Sequence, residues 1–299
     1  SDICAWDLTD LLVSGNTWNP RPIPQSYSAY TPELCRMNAL SLKRENKGSP
    51  DTIFFRVQTI DNRFPAMDDG MSWPVLIGEY HATRFFRDTL SLSRNDHGLS
   101  AGKLLGLLSE TVHLDQQVSV PPSEDPLFIR LKFRNGIWGR LRGLLYKSPQ
   151  LYISFQLADG TEHSKRIIPG MTETGFFLSP YVADTGDFAL LATNNLSLLE
   201  SRKVTKFTIS QQPGLVDIGL WDDEYQMELF RFHNTQPAAD ITSFFPAPQY
   251  QYVSPDALRH VTCTGNLDDL KVSKSSISAR GWLIASQNPP RLPDQSYVI

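Results

Sequence analysis

Between residues 151 and 158 apolar and polar side chains alternate without a break. Leu151, Ile153, Phe155 and Leu157 fall on one side, and Tyr152, Ser154, Gln156 and Ala158 on the other. That is the period of a strand with one buried face. Asp159-Gly160 follows at once, a hairpin signal because glycine accepts positive φ. A return strand through Arg166, Ile167 and Ile168 stops at Pro169-Gly170. The stretch 148–188 therefore predicts a hairpin at the centre of an antiparallel β-sandwich. Further strands are predicted at 117–120, 128–133, 176–178, 204–210 and 225–232, toward the roughly eight strands of a jelly roll. Residues 188–191, entered through Thr185-Gly186-Asp187, predict a short helix. Residues 265–272 and 277–284 predict one more strand pair.

The N-terminal part reads differently. Trp6, Trp18, Tyr27 and Tyr30 lie among Pro20, Pro22 and Pro24 with no period, which predicts an extended segment held by its rings. Thr31-Pro32-Glu33 opens a helix, because threonine caps and proline suits the first turn. The stripe Leu34, Met37, Leu40 and Leu42 carries it to about residue 44. A strand over 52–59, a loop over 61–65, a second helix from Ser72-Trp73-Pro74 to residue 80 and a strand over 89–93 follow. An intervening helix predicts that the two strands run parallel. The expected fold class is α+β with two domains. Residues 1–112 form a small α/β unit and 113–235 a jelly-roll-like β-sandwich. Residues 236–299 supply a linker and the start of a further β module.

Charge and cysteine content narrow the picture. With 32 acidic and 28 basic residues the net charge is only −4. Basic residues do not cluster, so a nucleic-acid partner is not expected. No stretch reaches the roughly 18 apolar residues of a membrane span. The chain starts without Met and stops on the strand-like run 296–299, which predicts a piece cut from a longer protein. Three cysteines, Cys4, Cys35 and Cys263, leave at least one free thiol. A Cys4–Cys35 disulfide in an oxidising compartment and a pair of buried thiols are both open.

Several segments together carry a resemblance. They are Gln25-Ser26-Tyr27-Ser28-Ala29-Tyr30-Thr31-Pro32, Asn38-Ala39, Ile60-Asp61-Asn62-Arg63, Asp68-Asp69-Gly70 with Trp73, Lys147-Ser148-Pro149, Ile168-Pro169-Gly170-Met171 and Gly175-Phe176-Phe177-Leu178-Ser179-Pro180. This set resembles the soluble extracytoplasmic region of uncharacterised bacterial multi-pass membrane proteins, some similar to lipid-linked-sugar glycosyltransferases. Cys263-Thr264-Gly265-Asn266 with Gly281-Trp282 resembles the start of a further β module in them. The resemblance implies a periplasmic or extracytoplasmic location, tethered to the bacterial inner membrane through segments that this chain lacks. Transferase chemistry would lie near those segments.

Candidate chemistry concentrates in one loop. Asp61, Arg63, Asp68 and Asp69 crowd the turn after the 52–59 strand, with Trp73 beyond. Ligands of open α/β sheets bind at the carboxyl ends of strands, so a sugar or polar-group site is one reading. A local Asp61–Arg63 ion pair and a helix cap from Asp68 or Asp69 is the other. Trp138, Tyr152, Tyr181 and Trp221 offer stacking platforms for sugar rings if exposed, and core packing otherwise. The amphipathic run 136–146 suits an edge helix or a membrane surface. The six histidines are scattered, and no cofactor is expected. Asp159, Asp184 and Asp187 are calcium candidates against plain turn chemistry. No GxSxG elbow, phosphate loop or GxGxxG is present. The function expected is a non-catalytic accessory module, with glycan and the absent membrane segments as partners. The alternatives are a carbohydrate-active enzyme using Asp61, Asp68 or Asp69, and a structural module docking through Phe244-Phe245.

Overall fold

The computed structural model describes residues 1–4, 17–86, 88–95, 102–136, 150–211 and 221–241, and the backbone of 263–272 and 277–285. Backbone contacts divide the chain into two compact units, Ser1–Phe244 and Phe245–Ile299. Among the described residues strand outweighs helix and lies in several antiparallel sheets, as an α+β fold has it. Among the described residues no helix is long and apolar enough to cross a membrane.

The first unit opens with β1 (Asp2–Cys4), α1 (Pro32–Leu42), β2 (Thr52–Phe55), α2 (Ser72–Glu79), β3 (Tyr80–Phe86) and β4 (Thr89–Arg94). The Thr31 hydroxyl accepts from the Leu34 N–H at 3.4 Å and Pro32 takes the first turn, so α1 begins where its cap predicts. The helix buries Cys35, Asn38, Ala39 and Leu42. The strands form one sheet in the order β1-β2-β4-β3. β1 is parallel to β2, but β2 and β4 are antiparallel, which corrects the expectation of parallel strands on either side of the second helix. The reason is β3, which the sequence reading did not resolve. It forms a hairpin with β4 and so reverses the direction in which β4 meets β2.

The rest of this unit comprises β5 (Gly102–His113), β6 (Gln117–Ser119), β7 (Leu127–Asn135), β8 (Leu151–Leu157) and β9 (Glu162–Ile167). After these come α3 (Pro169–Thr172), β10 (Phe176–Ser179), α4 (Thr185–Ala192), β11 (Val204–Gln211) and β12 (Trp221–Asn234). They make two four-stranded antiparallel sheets, β10-β7-β12-β5 and β6-β11-β8-β9. Each sheet buries one face along most of its length, while in the first of the two β10 is buried on both faces and its Phe177 packs against Phe128 and Phe232 on the other side. Leu151, Ile153, Phe155 and Leu157 of β8 are buried, and so are Ile129 and Leu131 of β7 and Tyr225, Met227 and Leu229 of β12. The β8–β9 hairpin turns through Gly160 at φ 87°, as its Asp-Gly signal predicts. It does not sit at a sheet centre, however, because β9 is the last strand of its sheet. The open edge of β9 is met by the 61–64 loop. Arg63 bridges Arg166 in parallel, the Phe64 N–H donates to Arg166 O at 3.0 Å, and the Arg166 N–H donates to Asn62 O at 2.8 Å. Sealing an edge this way removes a template for unwanted pairing.

The second unit contains an antiparallel pair, β13 (Cys263–Val272) with β14 (Ile277–Ala285), its register slipping between Leu267 and Asp269. The amphipathic run 137–146 with Trp138, and the Phe244-Phe245 pair, lie outside the described residues.

Candidate functional site

Two left-handed residues shape the 61–64 loop. Asp61 and Asn62 have φ of 54° and 52°, a conformation Asp and Asn tolerate better than other side-chain-bearing residues. The double turn aligns Arg63 with β9 and drives Phe64 inward. The Phe64 ring centroid is 5.3 Å from Phe155, 4.9 Å from Phe176 and 5.4 Å from Tyr181. Asp61 stays exposed, 3.4 Å from Arg166 and 3.9 Å from Arg63. Arg166 lies directly across from Tyr152, which is half-buried on the outward face of β8. Three side chains far apart in sequence thus meet on one open face: Asp61, Arg166 and Tyr152.

That face is hydroxyl-rich. Ser210 pairs with Tyr152, Thr208 with Ser154 and Lys206 with Gln156 on β11, while Ser164 pairs with Ser154 on β9. The Ser154 and Ser164 hydroxyls are 3.1 Å apart, and the Tyr152 hydroxyl donates to Gln150 at 2.9 Å.

The other loop residues go inside. Trp73 is 2% exposed and packs edge-on against Phe55 and Phe188. It is a core residue. Asp69 is the centre of a buried charge network. Arg21 Nη1 donates to Asp69 Oδ2 at 2.9 Å, Asn38 Nδ2 donates to the same oxygen at 3.2 Å, and the Ser72 hydroxyl donates to Asp69 Oδ1 at 2.8 Å. Arg21 Nε lies 3.1 Å from Asp2 Oδ2, an ionic contact without hydrogen-bond alignment. Cys4 and Cys35 are free, buried thiols. Burial, the largest influence, opposes the Arg21 charge, yet its neighbours, Asp69 and Asp2 among them, more than offset it and push the guanidinium pKa up. Glycine is required just after this pair, since a Cβ at Gly70 would lie 2.6 Å from the carbonyl oxygens of Ala66 and Gly175.

Asp68 sits between these groups. Its Oδ1 is 3.3 Å from Arg63 Nη1, and its Oδ2 is buried without a hydrogen-bond partner among the described residues. Arg63 in turn donates to Tyr27 O at 2.8 Å and Tyr30 Oη at 3.2 Å. Asp68 lines a cavity with Arg21, Asp69 and Ser72 that leaves ≈ 20 Å³ open to water centres, room for about one water molecule. Burial pushes the Asp68 carboxyl up to about 6, against the pull of Arg63.

A pH dependence follows. The folded chain keeps on Asp68 a proton that the unfolded chain loses near pH 3.8. The stability this group contributes is present below about pH 4 and is lost as pH rises through about 6. Asp68→Asn removes that slope. In urea titrations the wild-type midpoint should fall relative to the variant across this window. A constant difference between the two would refute the assignment.

The acidic residues considered for calcium carry local bonds. Asp159 Oδ1 accepts from the Thr161 N–H and hydroxyl, Asp184 caps α4 through the Asp187 N–H, and Asp187 accepts from the Ala183 N–H and pairs with Arg202 at 3.2 Å. Among the described residues no group of three or more His, Cys, Asp or Glu is placed to hold a metal ion. Of the other aromatic candidates, Tyr181 is 4% exposed and Trp221 9%.

Comparisons with protein-family models, curated proteins and solved structures found no match.

Sequence reasoning missed Arg21 and Asn38 as partners of Asp69, Asp2 as a second carboxylate on Arg21, and Arg166 as partner of Asp61. Neither set has a local signal, because each partner is 19 or more residues distant or lies across a sheet edge. A strand-period reading could have found one further feature. Arg130, Lys132 and Arg134 recur every second residue on β7, and Glu224, Gln226 and Glu228 on β12.

Proposed function

We propose that this chain is a non-catalytic accessory module of a bacterial envelope membrane protein that binds glycan on the outward face of β8, β9 and β11. The observation that carries this reading is the meeting of Tyr152, Arg166 and Asp61 on a hydroxyl-rich, open face. Tyr152 supplies a ring for stacking against a sugar, while Arg166 and Asp61 supply a donor and an acceptor beside it. In the same reading the two four-stranded sheets close over one interior as a jelly-roll-like sandwich beside a small α/β unit. Their paired buried faces support that arrangement. The extracytoplasmic location and membrane tether rest on the resemblance of the sequence segments. Calorimetric titration with neutral and acidic oligosaccharides tests the glycan assignment. Binding should weaken about tenfold in Tyr152→Ala, the worth of one aromatic stacking contact. If no saccharide binds, the glycan part of the reading is lost.

A second reading has its own support. Asp68 has a free buried oxygen, a raised pKa and Asp69 as its neighbour, features suited to an acid in glycoside hydrolysis. The water-sized cavity beside it would have to open to admit a sugar ring. Hydrolysis of any oligosaccharide that Asp68→Asn abolishes would favour this reading over the first.

A further inference from the structure

The two antiparallel sheets of the first unit present different outward faces. The β8–β9 sheet shows hydroxyls, whereas the β7–β12–β5 sheet shows charge. Register sets Arg130 beside Glu228 and Ser109 in one row, and Lys132 beside Gln226 and Thr111 in the next. Glu224 pairs with His113 at the far end.

Two open clefts, of ≈ 420 and ≈ 330 Å³, lie over this face and share Lys132 and Gln226. They therefore run together along the strands. The first is lined by three cations, Arg36, Arg130 and Lys132, against two carboxylates, Glu173 and Glu228. The second has three carboxylates, Asp222, Asp223 and Glu224, against Lys132 and Arg134. Lys132 is common to both clefts and pairs with Glu173 of the first, which leaves that end with one excess positive charge and the other, where Arg134 faces three carboxylates, with excess negative charge. The trough's internal contacts between ionisable groups are solvent-exposed: Arg130–Glu228 at 3.7 Å and Lys132–Glu173 at 3.4 Å in the first cleft, and His113 to Asp223 at 3.0 Å and to Glu224 at 3.6 Å in the second. Such pairs hold weakly and exchange readily for a partner's charges. Arg134 and Asp222 have no ion pair among the described residues.

Among the described residues no Phe, Tyr or Trp lines either cleft, and the ring next along this face, the half-buried Phe230, already has the Arg130 guanidinium over it at 4.8 Å, so the clefts do not offer the stacking that a sugar ring uses. A uniform polyanion would meet Asp222, Asp223 and Glu224 at one end. From Arg130 to Arg134 the strand advances about 13 Å, the span of about four extended residues. We propose that this trough is a docking surface for an extended segment of another polypeptide that is itself dipolar, its acidic side chains set against Arg36 and Arg130 and its basic ones against Asp222 and Asp223. The assignment is independent of glycan binding on the opposite sheet.

The test uses the full chain and fluorescence anisotropy. The probes are a short labelled peptide with a glutamate block at one end and a lysine block at the other, all-glutamate and all-lysine peptides of equal length, and a heparin oligosaccharide. The dipolar peptide should bind at least about tenfold tighter than each of the others, and more weakly as salt screens the charges. Lys132→Glu and Asp223→Lys should each weaken it about tenfold, with circular dichroism unchanged. Tyr152→Ala should leave it unaltered, which separates this surface from the glycan face. The proposal is overturned if a single-sign peptide or heparin binds as tightly as the dipolar one. It is equally overturned if no probe binds, or if both charge reversals bind like wild type.

Discussion

Arg21→Met should cost about 3–5 kcal/mol of folding stability, the usual penalty for removing one member of a buried ion network. The Arg21 side chain is 1% exposed and its carboxylate partners, Asp2 and Asp69, are 0% and 3% exposed. Methionine fills a similar volume, so cavity formation contributes little and the loss comes from two carboxylates left without their cation. The same guanidinium donates to Ile3 O and Pro24 O, so it ties residues 17–24 to β1 and to the 68–72 turn at once. Against a total stability of about 5–15 kcal/mol, the loss is a large fraction. The measurement is the urea midpoint at constant m-value. Arg21→Lys should recover only part of the stability, because an ammonium cannot span acceptors on both sides as a planar fork does. Adding Asp2→Asn and Asp69→Asn to Arg21→Met should restore part of it by removing the orphaned charges. A single Arg21→Met variant within about 1 kcal/mol of wild type would show that water reaches these carboxylates.

How much of this was legible in the sequence depends on the range of the interaction. The β8 alternation, the Asp159-Gly160 turn, the Thr31 cap and the helix at 185 were readable because the information lies within a few residues. The strand β5 was not, for a physical reason. Leu107 is inserted opposite the Leu229–Phe230 step, so pairing with β12 slips by one residue midway. The bulge breaks the period of two that a strand reading depends on. With Leu104, Leu105, Leu107 and Leu108 all apolar, neither face stands out. The missed β3 caused the wrong strand direction in the first sheet. In the 61–73 loop, sequence proximity grouped Asp61, Arg63, Asp68, Asp69 and Trp73 as one site. The fold divides them: Asp61 goes to the surface beside Arg166 and Tyr152, and Trp73 goes to the core. Asp69 joins Arg21, which no local pattern connects to it.

Phe64→Ala tests whether this division is held in place by packing. Phe64 is 0% exposed and touches rings from β8, from β10 and from the segment after it. Truncation of such a residue costs about 3–5 kcal/mol, from lost transfer energy and an unfilled cavity. Phe64→Leu retains most of the volume and should cost about 1–2 kcal/mol. The consequence reaches the candidate face, because Phe64 is the anchor that holds residues 61–63 along β9. If it is, the Phe64→Ala variant should lose amide exchange protection first at residues 64 and 166, whose N–H groups make the edge bonds to Arg166 O and Asn62 O. Saccharide affinity should fall with it, since Asp61 and Arg166 would no longer be held beside Tyr152. Uniform loss of protection across β8, β9 and β11, with the two edge amides no more affected than the rest, would mean that Phe64 supports the sheet as a whole. The 61–63 turn would then keep its place by its own left-handed geometry and the Arg63 ion pair alone.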